Sequence, residues 1–142
     1  MEAGKRLSGG EKQRISIARA ILKDAPIIIL DEATTMLSPN SRKSVLNTLN
    51  ELHKKTDITI IAITQYAQET VDCDRIVVMK NGEVLAQGSP EKIYSNSSLI
   101  ERAEIGVPYC VKIYYDLKDN GVELSKCPLN NESLVELLCR LK

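Results

Sequence analysis

The sequence contains no Trp and no Phe, and its aromatic residues are five Tyr in 142 positions. A stacking platform for single-stranded nucleic acid has almost nothing to be built from. An excess of one charge is equally missing: 19 Lys and Arg stand against 19 Asp and Glu, so no net field draws the chain toward nucleic acid or an anionic membrane. No nucleic-acid partner is expected. No apolar run approaches the roughly 18 residues of a membrane-crossing helix, and Met1-Glu2-Ala3-Gly4-Lys5-Arg6 has no apolar stretch of the secretion-signal type behind its charges. The chain reads as cytosolic. Cys73, Cys110, Cys127 and Cys139 are far apart, with no Cys-x-x-Cys pair and one His in the whole sequence, so reduced thiols are expected rather than a metal centre. A glycine-rich loop of the form G-x-x-x-x-G-K-[ST], whose amides and Lys grip the β- and γ-phosphates of a nucleotide, does not occur between Met1 and Lys142. The chain is therefore not expected to hold ATP firmly, or to hydrolyse it, by itself.

What is present is more pointed. Leu7-Ser8-Gly9-Gly10-Glu11-Lys12-Gln13-Arg14 puts a hydroxyl, two glycines and a helix start side by side, so that several backbone N–H groups without helical partners face one point and suit an anion. The apolar run Ile27-Ile28-Ile29-Leu30 then ends in Asp31-Glu32. Two carboxylates at the end of a buried strand suit phosphoryl transfer to water, one holding Mg²⁺ through water and its neighbour polarising the attacking water. Either segment alone has a bland reading as a loop, a cap or a solvated strand end. Their order and spacing favour the functional one.

Apolar residues at 43% suffice for a core. Ser8 is a good cap for a helix from about Gly10 to Lys23, with Ile15, Ala18, Ile21 and Leu22 at helical spacing until Pro26 forces the chain extended. Ile27–Leu30 and Ile58–Ile63 are apolar at consecutive positions, which predicts parallel strands covered on both faces, and Val45, Leu46, Leu49 and Leu52 mark a crossover helix between them. A short helix is expected near Gln68–Val71. Asn81-Gly82 separates Arg75–Lys80 from Glu83–Gln87 and predicts an antiparallel hairpin edge. Ser89-Pro90-Glu91 opens a further helix. From Val107 a helical tail is predicted, with one helix from Pro108 toward Gly121 and a last one carrying Leu134, Leu137, Leu138 and Leu141. His53, beside Lys54 and Lys55, is read as a surface residue.

Taken together, these motifs resemble the C-terminal portion of an ABC-type ATPase. Leu7–Arg14 match its signature motif, Ile27–Glu32 its Walker B motif and Ala33–Pro39 its D-loop; "NGEVLAQGSPEKIY" and the tail ending "SLVELLCRLK" are most similar to the ATP-binding subunits of energy-coupling factor transporters, which import vitamins and metal ions. The resemblance implies an α/β fold: a partial P-loop NTPase parallel sheet with flanking helices, a hairpin edge and an appended helical tail. It divides the chain into residues 1–106, the C-terminal part of the ATPase domain, and 107–142, the tail. It further implies ATP and Mg²⁺ as cofactors, a second ATPase subunit and membrane-embedded transporter subunits as partners, and a place at the cytoplasmic face of the membrane. Ser8, Gly9, Gly10 and Gln13 would contact the nucleotide held by the partner, Asp31 would hold the metal, and Glu32 and Gln65 would act in hydrolysis. Two positions depart from the family pattern: Gln65 stands where a switch His is usual, and Ser38 where the D-loop usually has an acid. Gln donates a hydrogen bond but is never cationic, so the site using Gln65 is expected to hydrolyse slowly. The strand of the phosphate loop lies, in the family sheet, between those matching Ile58–Ile63 and Arg75–Lys80. Without it, these residues are expected to be prone to aggregation. The alternative reading is a non-catalytic partner fragment that lends only its signature surface; a DNA-repair ATPase would need a long coiled coil ahead of Leu7.

Overall fold

Ser8 and Glu11, three residues apart, form a reciprocal capping box at the start of helix α1, Gly9–Leu22, in a computed structural model of the chain that describes residues 7–141. The helix ends two residues before Asp24, which turns the chain with φ +49°, and Pro26 leads into strand β1, Ile27–Asp31. Ser38 caps helix α2, Pro39–Lys55, with Pro39 at its first position, where its missing N–H costs nothing. Strand β2, Thr59–Ile63, then pairs in parallel with β1 in the register Ile28↔Ile60 and Leu30↔Ala62. This is the expected βαβ unit.

Its core is one-sided. Ile17 of α1, Ile28 and Leu30 of β1, Leu49 of α2 and Ile58 form one cluster, each side chain adding about 1.5–3 kcal/mol by leaving water. The other face of the sheet is open: Ile27, Ile29, Ile61 and Ile63 are 54%, 64%, 47% and 52% exposed. The sequence predicted strands covered on both faces; among the described residues only one face is covered, because α1 and α2 both contribute to the cluster on the Ile28–Leu30 side. The inward stripe of α1 also differs from the expected one. Ile17, Ala20 and Ile21 pack on the core, whereas Ile15 and Leu22 are 48% and 83% exposed.

The packing divides the chain into two compact units, Met1–Thr64 and Gln65–Lys142. In the second, the helix expected near Gln68–Val71 is a single 3-10 turn, Ala67–Glu69. Strands β3, Ile76–Lys80, and β4, Glu83–Gly88, form a separate antiparallel sheet. Asn81 and Gly82 turn it with φ +52° and +82°, the two positive angles that a two-residue hairpin turn of this hand requires. Pairing of Val78 with Ala86 and of Met79 with Val84 leaves Leu85 as the extra residue of a bulge. Ser89 caps helix α3, Pro90–Tyr94, and Asn96 caps α4, Ser97–Ala103, a helix the sequence did not announce.

The tail forms α5, Tyr109–Asp119, and α6, Asn131–Cys139. Leu134 and Leu137 join Cys110 and Leu124 in one cluster, while Val111 and Cys127 pack with Tyr94 of α3. The tail is thus built onto residues 66–106, and the packing boundary falls at Thr64/Gln65 although sequence character changes at Val107. The Tyr115 hydroxyl donates to the Tyr94 carbonyl at 2.9 Å, and burial pushes its pKa up to about 12. Burial likewise raises the Cys127 thiol to about 11. Both stay neutral at physiological pH, and all four cysteines are free.

The bare isoleucine face and the unpaired edges of two-stranded sheets are templates for association. Residues 1–142 produced alone are expected to run larger than a monomer in light scattering and to melt without one sharp transition. A monomer with a sharp cooperative melt would contradict this.

Candidate functional site

Ser8 sits exposed at the tip of α1 with extended backbone, φ −61° and ψ 159°. Its amide and its hydroxyl both donate to Glu11 Oε2 at 2.8 Å, and the Glu11 amide donates back to Ser8 Oγ at 3.3 Å. The Ser8 amide bond, followed by the hydroxyl bond, holds the Glu11 carboxyl below the ordinary range. The amides of Gly9 and Gly10 open the helix and so have no acceptor within it. Packing adds a second reason for these glycines. A Cβ on Gly10 would lie 3.0 Å from the Met36 carbonyl oxygen, and one on Gly9 would lie 2.9 Å from Met36 Sδ. Ser8, Gly9, Gly10, Met36 and Ser38 border one open depression, so the segments matching signature and D-loop share a surface.

Asp31 is the last residue of β1 and is exposed, paired in register with Ile63. Glu32 follows, also exposed, with φ +44°. A non-glycine residue in this left-handed region is held at a cost of about 1–3 kcal/mol, and its neighbours hold it at both ends. The Glu32 amide donates to the Ile63 carbonyl at 2.9 Å. The Glu32 carbonyl accepts from the Thr35 amide at 3.2 Å, from Thr35 Oγ1 at 2.9 Å and from Gln13 Nε2 at 3.3 Å.

Gln13 is put to a use the sequence did not suggest. Its other amide atom, Oε1, accepts from the Met36 amide at 3.2 Å, so both ends of the side chain are spent on the turn after β1. In this chain Gln13 makes an internal tie, on the inward stripe of α1 one turn before Ile17. Ser38, where the resemblance led one to look for an acid, accepts from the Ser41 amide at 3.3 Å and caps α2. Gln65 is exposed and opens the second unit. His53 is exposed too, with Nδ1 3.0 Å from the Ile58 carbonyl oxygen.

A single carboxylate suits Mg²⁺, which keeps most of its water and takes the rest of its shell from phosphate. Among the described residues no three His, Cys, Asp or Glu gather to hold a metal, and Asp31 offers one exposed carboxylate at the end of β1.

Residues 1–35 match the family model described as "ABC transporter". Over 136 residues the chain is 43% identical to the energy-coupling factor transporter ATP-binding protein EcfA1 of Clostridium novyi, covering 96% of this chain and 49% of that protein. The chain is a partial ABC ATPase. Its 42% identity to EcfA1 of Geobacillus kaustophilus covers 96% of this chain and 49% of that one, so it spans about half the length of the curated relatives it matches. Among solved structures, this ABC ATPase fold is similar to a bacterial Atm1-family ABC exporter with ATP bound, with TM-score 0.63 and 34% identity over 71% of this chain and 17% of that one. It is also similar to the dimeric post-hydrolysis state of the cassette MJ0796 bound to ADP and Pi, with TM-score 0.59 and 30% identity over 61% of this chain and 38% of that one. No helix among the described residues is long and apolar enough to cross a membrane.

Ser8→Ala removes the cap of α1 and is expected to lower the opening free energy of its first-turn amides by about 1 kcal/mol, read by hydrogen exchange in the full-length protein. Glu11 titrates below its unfolded value of 4.5, so its share of the cap is complete above that pH and is lost as pH falls through the lowered value. Unchanged exchange in Ser8→Ala would contradict the capping role.

Proposed function

We propose that the chain is the signature-to-tail part of the ATP-hydrolysing subunit of an energy-coupling factor importer. The subunit works as a dimer at the cytoplasmic face of the membrane and couples hydrolysis to uptake of a vitamin or metal ion through membrane-embedded subunits. The observation that carries the reading is that Asp31 and Glu32 emerge exposed at the end of a core strand, in the same packed unit as the Ser8-Gly9-Gly10 helix tip, whose Ser8 and Gly9 are exposed. The names of the relatives, together with the ATP-bound exporter and the dimeric, ADP-bound cassette that the chain resembles, support the substrate and the two-subunit arrangement.

In this reading the Ser8 hydroxyl and the Gly9 and Gly10 amides receive the γ-phosphate of nucleotide held mainly by the partner. Ser8 then turns its hydroxyl away from Glu11. Asp31 would hold Mg²⁺, which would supply positive charge against the phosphates. Glu32 accepts a hydrogen bond from the attacking water and orients it. Gln65 donates a hydrogen bond toward the γ-phosphate, without the charge or the proton handling of imidazole.

The test is ATPase activity of the full-length protein with its co-encoded partner. Glu32→Gln is expected to lower the rate by about 10²–10⁴-fold, the range for a lost general base; a wild-type rate would overturn the reading. Gln65→His is expected to raise single-turnover hydrolysis at its own site, and no change would remove the role given to Gln65.

A further inference from the structure

One side chain of α1 reaches the backbone of the residue proposed as general base. Gln13 Nε2 donates to the Glu32 carbonyl at 3.3 Å while Gln13 Oε1 accepts from the Met36 amide at 3.2 Å. The amide therefore spans the turn that begins at Glu32 and ends at Met36, and touches both limbs. Its position is fixed from behind: Gln13 is half-buried, and the next turn of its stripe is Ile17, 6% exposed in the core. One turn ahead, Gly10 abuts the Met36 carbonyl. Helix α1 and the 32–36 turn thus have little freedom to slide past each other without breaking the Gln13 bonds.

The carbonyl that Gln13 holds belongs to a residue with φ +44°. In such a residue the orientation of the following peptide and the direction of the Cα–Cβ bond are set together, so a donor on the carbonyl helps to aim the carboxylate. We infer that Gln13 is a positioning residue: it holds the left-handed backbone of Glu32 and transmits displacement of the signature helix to the base. This rests on the proposed function. It goes beyond it by linking, through one side chain, the surface facing the partner's nucleotide to the water-activating carboxylate of this subunit's own site. Gln13 acts through Glu32 and touches no substrate.

The experiment uses the full-length protein assembled with its partner, and compares Gln13→Met, which keeps length and loses both bonds, with Gln13→Glu, which keeps the acceptor for Met36 and loses the donor to Glu32. Both are expected to lower kcat about tenfold and leave the KM for ATP within twofold. The decisive readout is a cycle with Glu32→Gln: in that background Gln13→Met is expected to lower the residual rate by less than twofold, since its effect runs through a carboxylate no longer there. Equal losses in both backgrounds, an unchanged kcat, a rise in KM alone, or failure of both Gln13 variants to assemble would each overturn the inference. A wild-type rate in Glu32→Gln itself would instead remove the proposed function, so the two failures are told apart.

Discussion

The carbonyl of Glu32 is where strand, turn and first helix meet. Three donors converge on it, two from Thr35 and one from Gln13, and they keep a non-glycine residue in a backbone conformation it would otherwise leave. The remaining features of the first unit lead to this point. Ser8 and Glu11 start α1 at a defined residue, and the two glycines allow its first turn to lie against Met36. Ile17 then anchors the helix to Ile28 and Leu30, which set the end of β1 where Asp31 and Glu32 emerge. The apolar core fixes the helix, and the hydrogen bonds fix the angle at which the acidic pair leaves the strand.

The second unit is stabilised differently. A hairpin with a bulge cannot bury enough surface by itself, and here α3, α4 and the tail helices supply the rest, with Tyr94 at the centre of one cluster. Tyr94 links three segments: its hydroxyl lies 2.7 Å from Thr70 Oγ1, and its carbonyl accepts from Tyr115 and Cys127. Inward leucines of α6 are spent within the unit, whereas Val135, Leu138 and Leu141 remain 58%, 38% and 47% exposed. Apolar side chains exposed in this way are common on protein surfaces.

Local chemistry was the legible part. Ser8 as a helix cap, Ser89 with Pro90, and Asn81-Gly82 each act within four residues, so their consequences can be read without knowing the fold. The parallel pairing of β1 with β2 followed from two apolar runs separated by a helical period. What escaped depends on neighbours distant in sequence. The inward face of α1 begins with Gln13, a polar residue that interrupts the apolar period, so apolar spacing alone points to Ile15 and Leu22 beside Ile21. The one-sided burial of β1 depends on which helices cover it, and isoleucines at consecutive positions carry no information about that. Helix α4 is seven residues long and shows too few turns for a period. The left-handed Glu32 had no glycine to mark it. The same feature concealed the role of Gln13, whose partners are the Glu32 carbonyl and the Met36 amide, 19 and 23 residues away.

The most direct measurement is an experimental structure of the full-length protein with its co-encoded partner and a non-hydrolysable ATP analogue. The expected result is the γ-phosphate against Ser8, Gly9 and Gly10 of one subunit, with Gln13 still bridging the Glu32 carbonyl and the Met36 amide and Glu32 still at positive φ. A structure in which Gln13 has left that carbonyl for the nucleotide, and Glu32 has relaxed to an ordinary extended or helical backbone, would contradict it.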